Sequence, residues 1–129
     1  MTAWAAALAV AAGGAVGALL RWGVAVLATR WTAGGPWAHV PLGTVLVNVA
    51  GCFALAWLLS AGAARGIGSP GLRLFAGTGV LGALTTFSTF GLDAHGLALG
   101  GRPGQAALYV GGTLLLAGAA VLAGWALGR

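Results

Sequence analysis

Long apolar stretches separated by short clusters of Gly, Pro, Ser and Thr organise this chain. The stretches run over residues 4–28, 40–61, 72–99 and 105–127, and the breakers between them are 32–36, 66–71 and 100–104. A helix needs about 20 apolar residues to cross the hydrocarbon core of a bilayer, so each of the four is long enough to span one. None of the breakers is long enough to separate domains. The pattern predicts a single domain over residues 1–129, an all-α membrane protein with four transmembrane helices. The first stretch has no basic lead and no small-residue cleavage site after a short apolar core, so it is expected to remain as the first span.

One place in the third stretch departs from spanning-helix chemistry. Thr85-Thr86-Phe87-Ser88-Thr89-Phe90 carries four hydroxyls among β-branched and aromatic residues, with Gly79 and Gly82 before it and Gly91 after it. All of these lower helix propensity together, which predicts a break in the third helix. Within a bilayer, non-helical backbone persists only where protein or a water-filled site satisfies its polar groups. The hexapeptide is therefore the first candidate for function.

Composition and charge narrow the function. The chain is 60% hydrophobic and 5% charged, with a mean hydropathy of +0.99, against roughly 25% charged residues in a soluble domain. All six basic residues are Arg, the sole acid is Asp93, and the net charge is +5. With four spans, Arg65, Arg73 and Arg129 fall on one side of the membrane and Arg30 and Arg102 on the other. Arg21 lies inside the first span, where it either snorkels or is buried in the fold. Orientation follows an excess of Lys and Arg on the cytoplasmic side, and here there is none. Either other features set one topology, or both orientations are inserted and assemble as an antiparallel pair. The Gly- and Ala-rich spans favour close helix packing and self-assembly. The arginines form no basic cluster or basic amphipathic helix, which points to lipid headgroups rather than nucleic acid.

The polar residues within the spans are few. Asn48 is central in the second span, with Thr44 one turn before it; Tyr109 and Thr113 repeat that spacing in the fourth. Asn48 either makes an interhelical hydrogen bond or offers an N–H donor to an ion path. Tyr109 either anchors at the interface or lines the same path. Cys52 is a lone thiol, and His39 and His95 have no ligand partner at useful spacing. One carboxylate, no Lys and no nucleophile or phosphate-cradling motif leave catalysis without a basis. Asp93, near the end of its span, weakens a proton-coupled antiport reading. Hydroxyls, an amide and aromatic ring edges, the positive part of the ring quadrupole, suit passive conduction of an anion.

Three sequence runs together resemble the fluoride-specific ion channel family, Fluc or CrcB. They are residues 13–21 (GGAVGALLR), Gly43-Thr44 through Asn48 to Gly51, and residues 82–90 (GALTTFSTF). The resemblance implies a dual-topology antiparallel homodimer with two narrow fluoride pores, in a bacterial inner membrane. It assigns Phe87 and Phe90 to the pore as ring-edge donors and Asn48 as an amide donor, with Thr44, Ser88, Thr89, Tyr109 and Thr113 as further pore-lining groups. It also implies a central structural Na+ held by the backbone carbonyls of Gly82 and Thr85 from both subunits, and a vestibule or structural role for Arg21 and Asp93. Asp93 stands where many relatives carry Glu, and Thr113 where a Ser often stands; both keep the functional group. The alternative, a small four-helix dual-topology exporter of cationic drugs or metabolites, predicts a Glu in the first span, and this sequence has none there.

Overall fold

The computed structural model describes residues 1–66 and 68–129. Their regular structure is helical throughout, with no strand among the described residues. Helix α1 covers Ala3–Thr32 and α2 Leu42–Arg65. The third span is composite: α3 (Pro70–Arg73), a π-helical stretch (Leu74–Leu81), α4 (Gly82–Leu84) and α5 (Phe87–Leu99). Helix α6 covers Pro103–Gly128. Among the described residues, four segments are long and apolar enough to cross a membrane: Ala3–Thr32, Leu42–Arg65, Pro70–Leu99 and Pro103–Gly128. They agree with the hydropathy pattern to within a turn or so at either end.

Local chemistry sets the ends. The Thr2 hydroxyl accepts from the Ala5 N–H at 3.3 Å and caps α1. Gly66, with φ 63°, ends α2 in the left-handed conformation that glycine adopts without steric cost. Ser69 caps α3 by accepting from the Leu72 N–H at 3.3 Å, with Pro70 just inside the helix. Pro103 likewise opens α6, where its missing N–H costs nothing.

Packing follows the small residues. Helix α1 lies against the π-helical stretch and α2 against α6. At the first seam Gly13 and Gly17 sit so close to the other backbone that a Cβ at either would run into the carbonyl oxygens of Phe75 and Val80. At the second, Gly124 faces the Phe53 carbonyl and Gly128 the Ser60 side chain, and the Ser60 hydroxyl donates to the Trp125 carbonyl at 2.8 Å. Backbones that touch this closely gain dispersion contacts, the main attraction left between helices when the solvent is itself apolar. Large apolar side chains such as Trp4, Leu19, Leu115 and Leu122 point outward, as in a protein whose surroundings are hydrocarbon.

The π-helical stretch lay outside the sequence expectation. It carries Gly77 and Gly79, and the Gly82 N–H that follows it reaches back five residues to the Gly77 carbonyl. Widening the helix here lets the Val80 and Phe75 carbonyls meet α1, and the register of everything after it, including the hexapeptide, is shifted accordingly.

Replacing Gly17 by Ala is expected to push α1 off this seam and cost about 1–3 kcal/mol. Gly14→Ala, where the added methyl meets open space, should leave stability unchanged or slightly raised. Thermal unfolding in detergent compares the two, and equal midpoints would remove the close approach as a determinant of the fold.

Candidate functional site

Thr85 and Thr86 are extended, at φ −79°, ψ 153° and φ −152°, ψ 124°, between the end of α4 and the start of α5. Their backbone groups need partners inside the membrane. Asn48 on α2 supplies two: its Oδ1 accepts from the Thr86 N–H at 2.8 Å and its Nδ2 donates to the Thr86 carbonyl at 3.1 Å. One amide thereby replaces both hydrogen bonds that a neighbouring strand would make. Thr86 is also the N-cap of α5, its hydroxyl accepting from the Thr89 N–H at 3.2 Å. That hydroxyl donates to Thr89 Oγ1 at 3.1 Å and lies 3.3 Å from Ser88 Oγ.

These bonds have a second effect. In an unbroken helix the Thr86 N–H would donate to the Gly82 carbonyl and the Thr89 N–H to the Thr85 carbonyl. Both donors are used elsewhere, so the carbonyls of Gly82 and Thr85 are released from the helical ladder. Gly51, one turn beyond Asn48, lets the Thr85 methyl pack directly on α2, where a Cβ would collide with it.

Restarting the helix at Phe87 aims two aromatic rings. The Phe87 and Phe90 centroids are 5.8 Å apart at an interplanar angle of 42°, and Phe90 lies 5.2 Å from Tyr109 at 37°. Phe90 is buried in a small core with Val40, Leu97 and Tyr109. Phe87 is 82% exposed, so a single chain leaves this ring uncovered. A cavity of about 410 Å³ is lined by Asn48, Gly82, Thr85, Phe87, Phe90 and Thr113. Six residues singled out in the sequence thus share one wall.

Other candidates sit elsewhere. Thr44 and Tyr109 both donate to Asp93 Oδ2, at 2.8 and 3.2 Å, joining α2, α5 and α6. Tyr109 is 3% exposed, so it is not a surface anchor. Asp93 stands midway along α5 and six residues before the end of the third span. Thr113 directs its hydroxyl hydrogen to the Tyr109 carbonyl at 2.6 Å. Arg21 is half-buried, beside a separate cavity of about 310 Å³ that it shares with Thr44, Thr86 and Thr89. Neither Ser88 nor Thr89 lines the 410 Å³ cavity; both meet it through the Thr86 hydroxyl. Among the described residues no three His, Cys, Asp or Glu side chains are grouped to hold a metal ion.

Two residues named in the sequence had not been assigned to the site. Thr86 is the hub of the site, and its signal was the N-cap pattern of a hydroxyl residue immediately before a new helical turn. Cys52, read only as a lone thiol, lines the 410 Å³ cavity one turn beyond Asn48; the i, i+4 spacing was the available clue.

The family model described as CrcB-like protein, Camphor Resistance (CrcB), matches residues 8–125. The chain is 45% identical over 120 residues to the fluoride-specific ion channel FluC of Agrobacterium fabrum, covering 93% of each. It is 46% identical over 122 residues to that of Paracoccus denitrificans, covering 95% of this chain and 93% of the relative. Against FluC 1 of Halobacterium salinarum it is 44% identical over 121 residues, 94% and 92% of the two chains.

Asn48→Ala would strip both partners from the Thr86 backbone, leaving buried polar groups unpaired at about 1–3 kcal/mol each. Hydrogen exchange at the Thr86 amide should then accelerate by about 10- to 100-fold, since 1.4 kcal/mol is tenfold. Unaltered protection there would mean that the amide does not hold the extended segment.

Proposed function

The chain belongs to the CrcB-like protein family, and we propose that it is a fluoride-selective ion channel that lets fluoride leave the cytoplasm down its electrochemical gradient. The observation that carries this reading is the single cavity joining the Asn48 amide to the rings of Phe87 and Phe90, in a chain that aligns almost end to end with channels named for fluoride.

The chemistry of that wall suits a small, hard anion. Fluoride holds its hydration shell tightly, and a narrow path conducts it only if fixed donors replace the water lost. Asn48 has two Nδ2 hydrogens and gives one to Thr86, so the other is available to an ion. The ring edges of Phe87 and Phe90 add partial positive charge without a strong fixed cation that would trap the ion. Thr44 and Tyr109, whose hydroxyls bridge to Asp93, are donors that a passing fluoride can borrow, while Thr113 keeps the lining polar and Ser88 and Thr89 support Thr86 beside it. Chloride, being larger, is excluded by the spacing of these groups.

In this reading two chains assemble as an antiparallel homodimer in the inner membrane of a bacterium. The near-even split of arginines between the two sides supports insertion in both orientations. The uncovered Phe87 ring supports a second chain closing each pore. The carbonyls of Gly82 and Thr85, released from the helix on two residues that line one cavity, fit a hard cation such as Na+, which takes oxygen ligands. Two such pairs, one from each subunit, would hold that ion, and its charge would supply a fixed positive potential beside the pores. Arg21, beside Thr44 and Thr89, extends that potential toward the vestibule. The exporter alternative is not favoured, since the first span offers no acid to a cationic substrate.

Liposomes containing the purified protein should release fluoride rapidly and chloride not at all, as read with ion-selective electrodes, and replacing Na+ by a bulky organic cation should slow the release. Efflux of both anions alike would end the selectivity claim.

Phe87→Ile and Phe90→Ile should each abolish fluoride efflux from a folded protein by removing a ring edge, and Asn48→Asp should cripple it by placing an anion in the path. Wild-type rates in all three would take these residues out of the mechanism.

A further inference from the structure

A threonine inside a helix commonly returns its hydroxyl hydrogen to a carbonyl one turn back. Thr29, Thr32, Thr85 and Thr113 do so here, donating to the carbonyls of Ala25, Ala28, Leu81 and Tyr109. Thr44 and Thr86 give theirs to Asp93 and Thr89. Among the described residues Thr78 is the one threonine whose hydroxyl has no hydrogen-bond partner. Its place in the π-helical stretch accounts for this. There the turn closes on the fifth residue back, so the Leu74 carbonyl no longer stands over the Thr78 side chain.

Thr78 does not stand alone on its face. It is exposed, and so is Gly82 about one turn on, where an added Cβ would meet only the Gly77 carbonyl of its own helix. Phe87, 82% exposed, shares a cavity wall with Gly82. The middle of the third span thus presents an unbonded hydroxyl, a carbonyl released from the helical ladder and a bare ring. Lipid is a poor cover for it. Thr78 lies eight residues beyond Pro70, about 12 Å into the span, where acyl chains accept no hydrogen bond. A protein surface with an acceptor at that depth supplies what lipid lacks.

Symmetry identifies that surface. Gly82 to Thr85 is the middle of the Pro70–Leu99 span, and two antiparallel copies sharing one bilayer cross at their middles. A residue before the crossing then lies level with residues equally far beyond it in the other copy. Thr78 precedes the crossing by about 8 Å, and Ser88, exposed in the first turn of α5, follows it by about 10 Å. Ser88 also has an acceptor to offer. Thr86 gives its hydrogen to Thr89, so Ser88, 3.3 Å away, donates to Thr86 and keeps a lone pair free. We propose that Thr78, Gly82 and Phe87 form the face on which a second copy of this chain seats, and that the Thr78 hydroxyl donates across it to Ser88 of the partner subunit. The bond is made twice by symmetry, and it sets the register of the pair. The inference rests on the antiparallel pairing proposed above and is independent of the ion conducted.

The test is energy transfer between donor- and acceptor-labelled full-length chains, diluted with detergent until the pairs separate. The wild type is expected to pair. T78V, which keeps the shape and removes the hydroxyl, should dissociate about tenfold more readily, the effect of two hydrogen bonds between membrane helices. T78S, which keeps the hydroxyl, should stay near the wild type. Because Thr78 is exposed and unbonded in the single chain, T78V does not disturb the fold of the monomer. S88A should weaken pairing as T78V does, and the double variant T78V/S88A no further than either alone, the signature of two residues acting on one contact. A wild type that remains monomeric would remove the pairing and this contact with it. Pairing as strong in T78V as in the wild type, or effects of T78V and S88A that simply add, would overturn the Thr78 contact while the pairing stands.

Discussion

The rest of this structure depends on one side-chain amide satisfying a peptide group that the helix has abandoned. In hydrocarbon an unpaired backbone N–H and C=O would each cost several kcal/mol, enough to forbid two extended residues in the third span. Asn48 removes that cost with two hydrogen bonds to Thr86. Once the interruption is permitted, its consequences follow in order. The Gly82 and Thr85 carbonyls lose their helical donors, Thr86 caps a new helix, and that helix begins with Phe87 already aimed outward.

The same residue does structural work and, in the proposed channel, offers an ion its remaining hydrogen; the two are linked through the number of its hydrogens. A hydroxyl in place of Asn48 could not both donate and accept toward Thr86 while keeping a hydrogen for an ion, whereas a primary amide can. A comparable economy runs through the second cluster. Asp93 orders the hydroxyls of Thr44 and Tyr109 from two other helices around one oxygen, so the only carboxylate of the chain fixes the placement of α2, α5 and α6 near one membrane surface. Glycine makes these approaches possible at the backbone level: Gly51 admits the Thr85 methyl to α2, and Gly13 and Gly17 admit the π-helical stretch to α1. Small residues thus set the distances at which the polar groups meet.

Much of the fold was legible in the sequence because lipid leaves few alternatives. Segments of this length and hydropathy have to be helices, and breakers such as Gly66 and Pro103 mark their ends within a turn. The candidate residues were legible for a related reason. Polar side chains are so costly in a span that each one present asks for an explanation, which drew attention to Asn48, Thr44 and Asp93. Partners were not legible. Nothing in spacing pairs Asn48 with Thr86, 38 positions away, or Tyr109 with Asp93, and Thr86 looked like one hydroxyl among four.

By itself, then, the sequence determined a four-span helical protein with an irregular third span, arginines split almost evenly between the two sides and a short inventory of polar groups within the spans. These follow from local chemistry, the energy of placing each residue in hydrocarbon. The tertiary structure alone decided that one amide closes the Thr86 backbone, that a π-helical stretch sets the register of the hexapeptide, that Phe90 is buried while Phe87 is bare, and that Cys52 shares their cavity. Those outcomes depend on the rotation and depth of each helix relative to its neighbours. Contacts between residues far apart in the chain fix both quantities, and no local pattern encodes them.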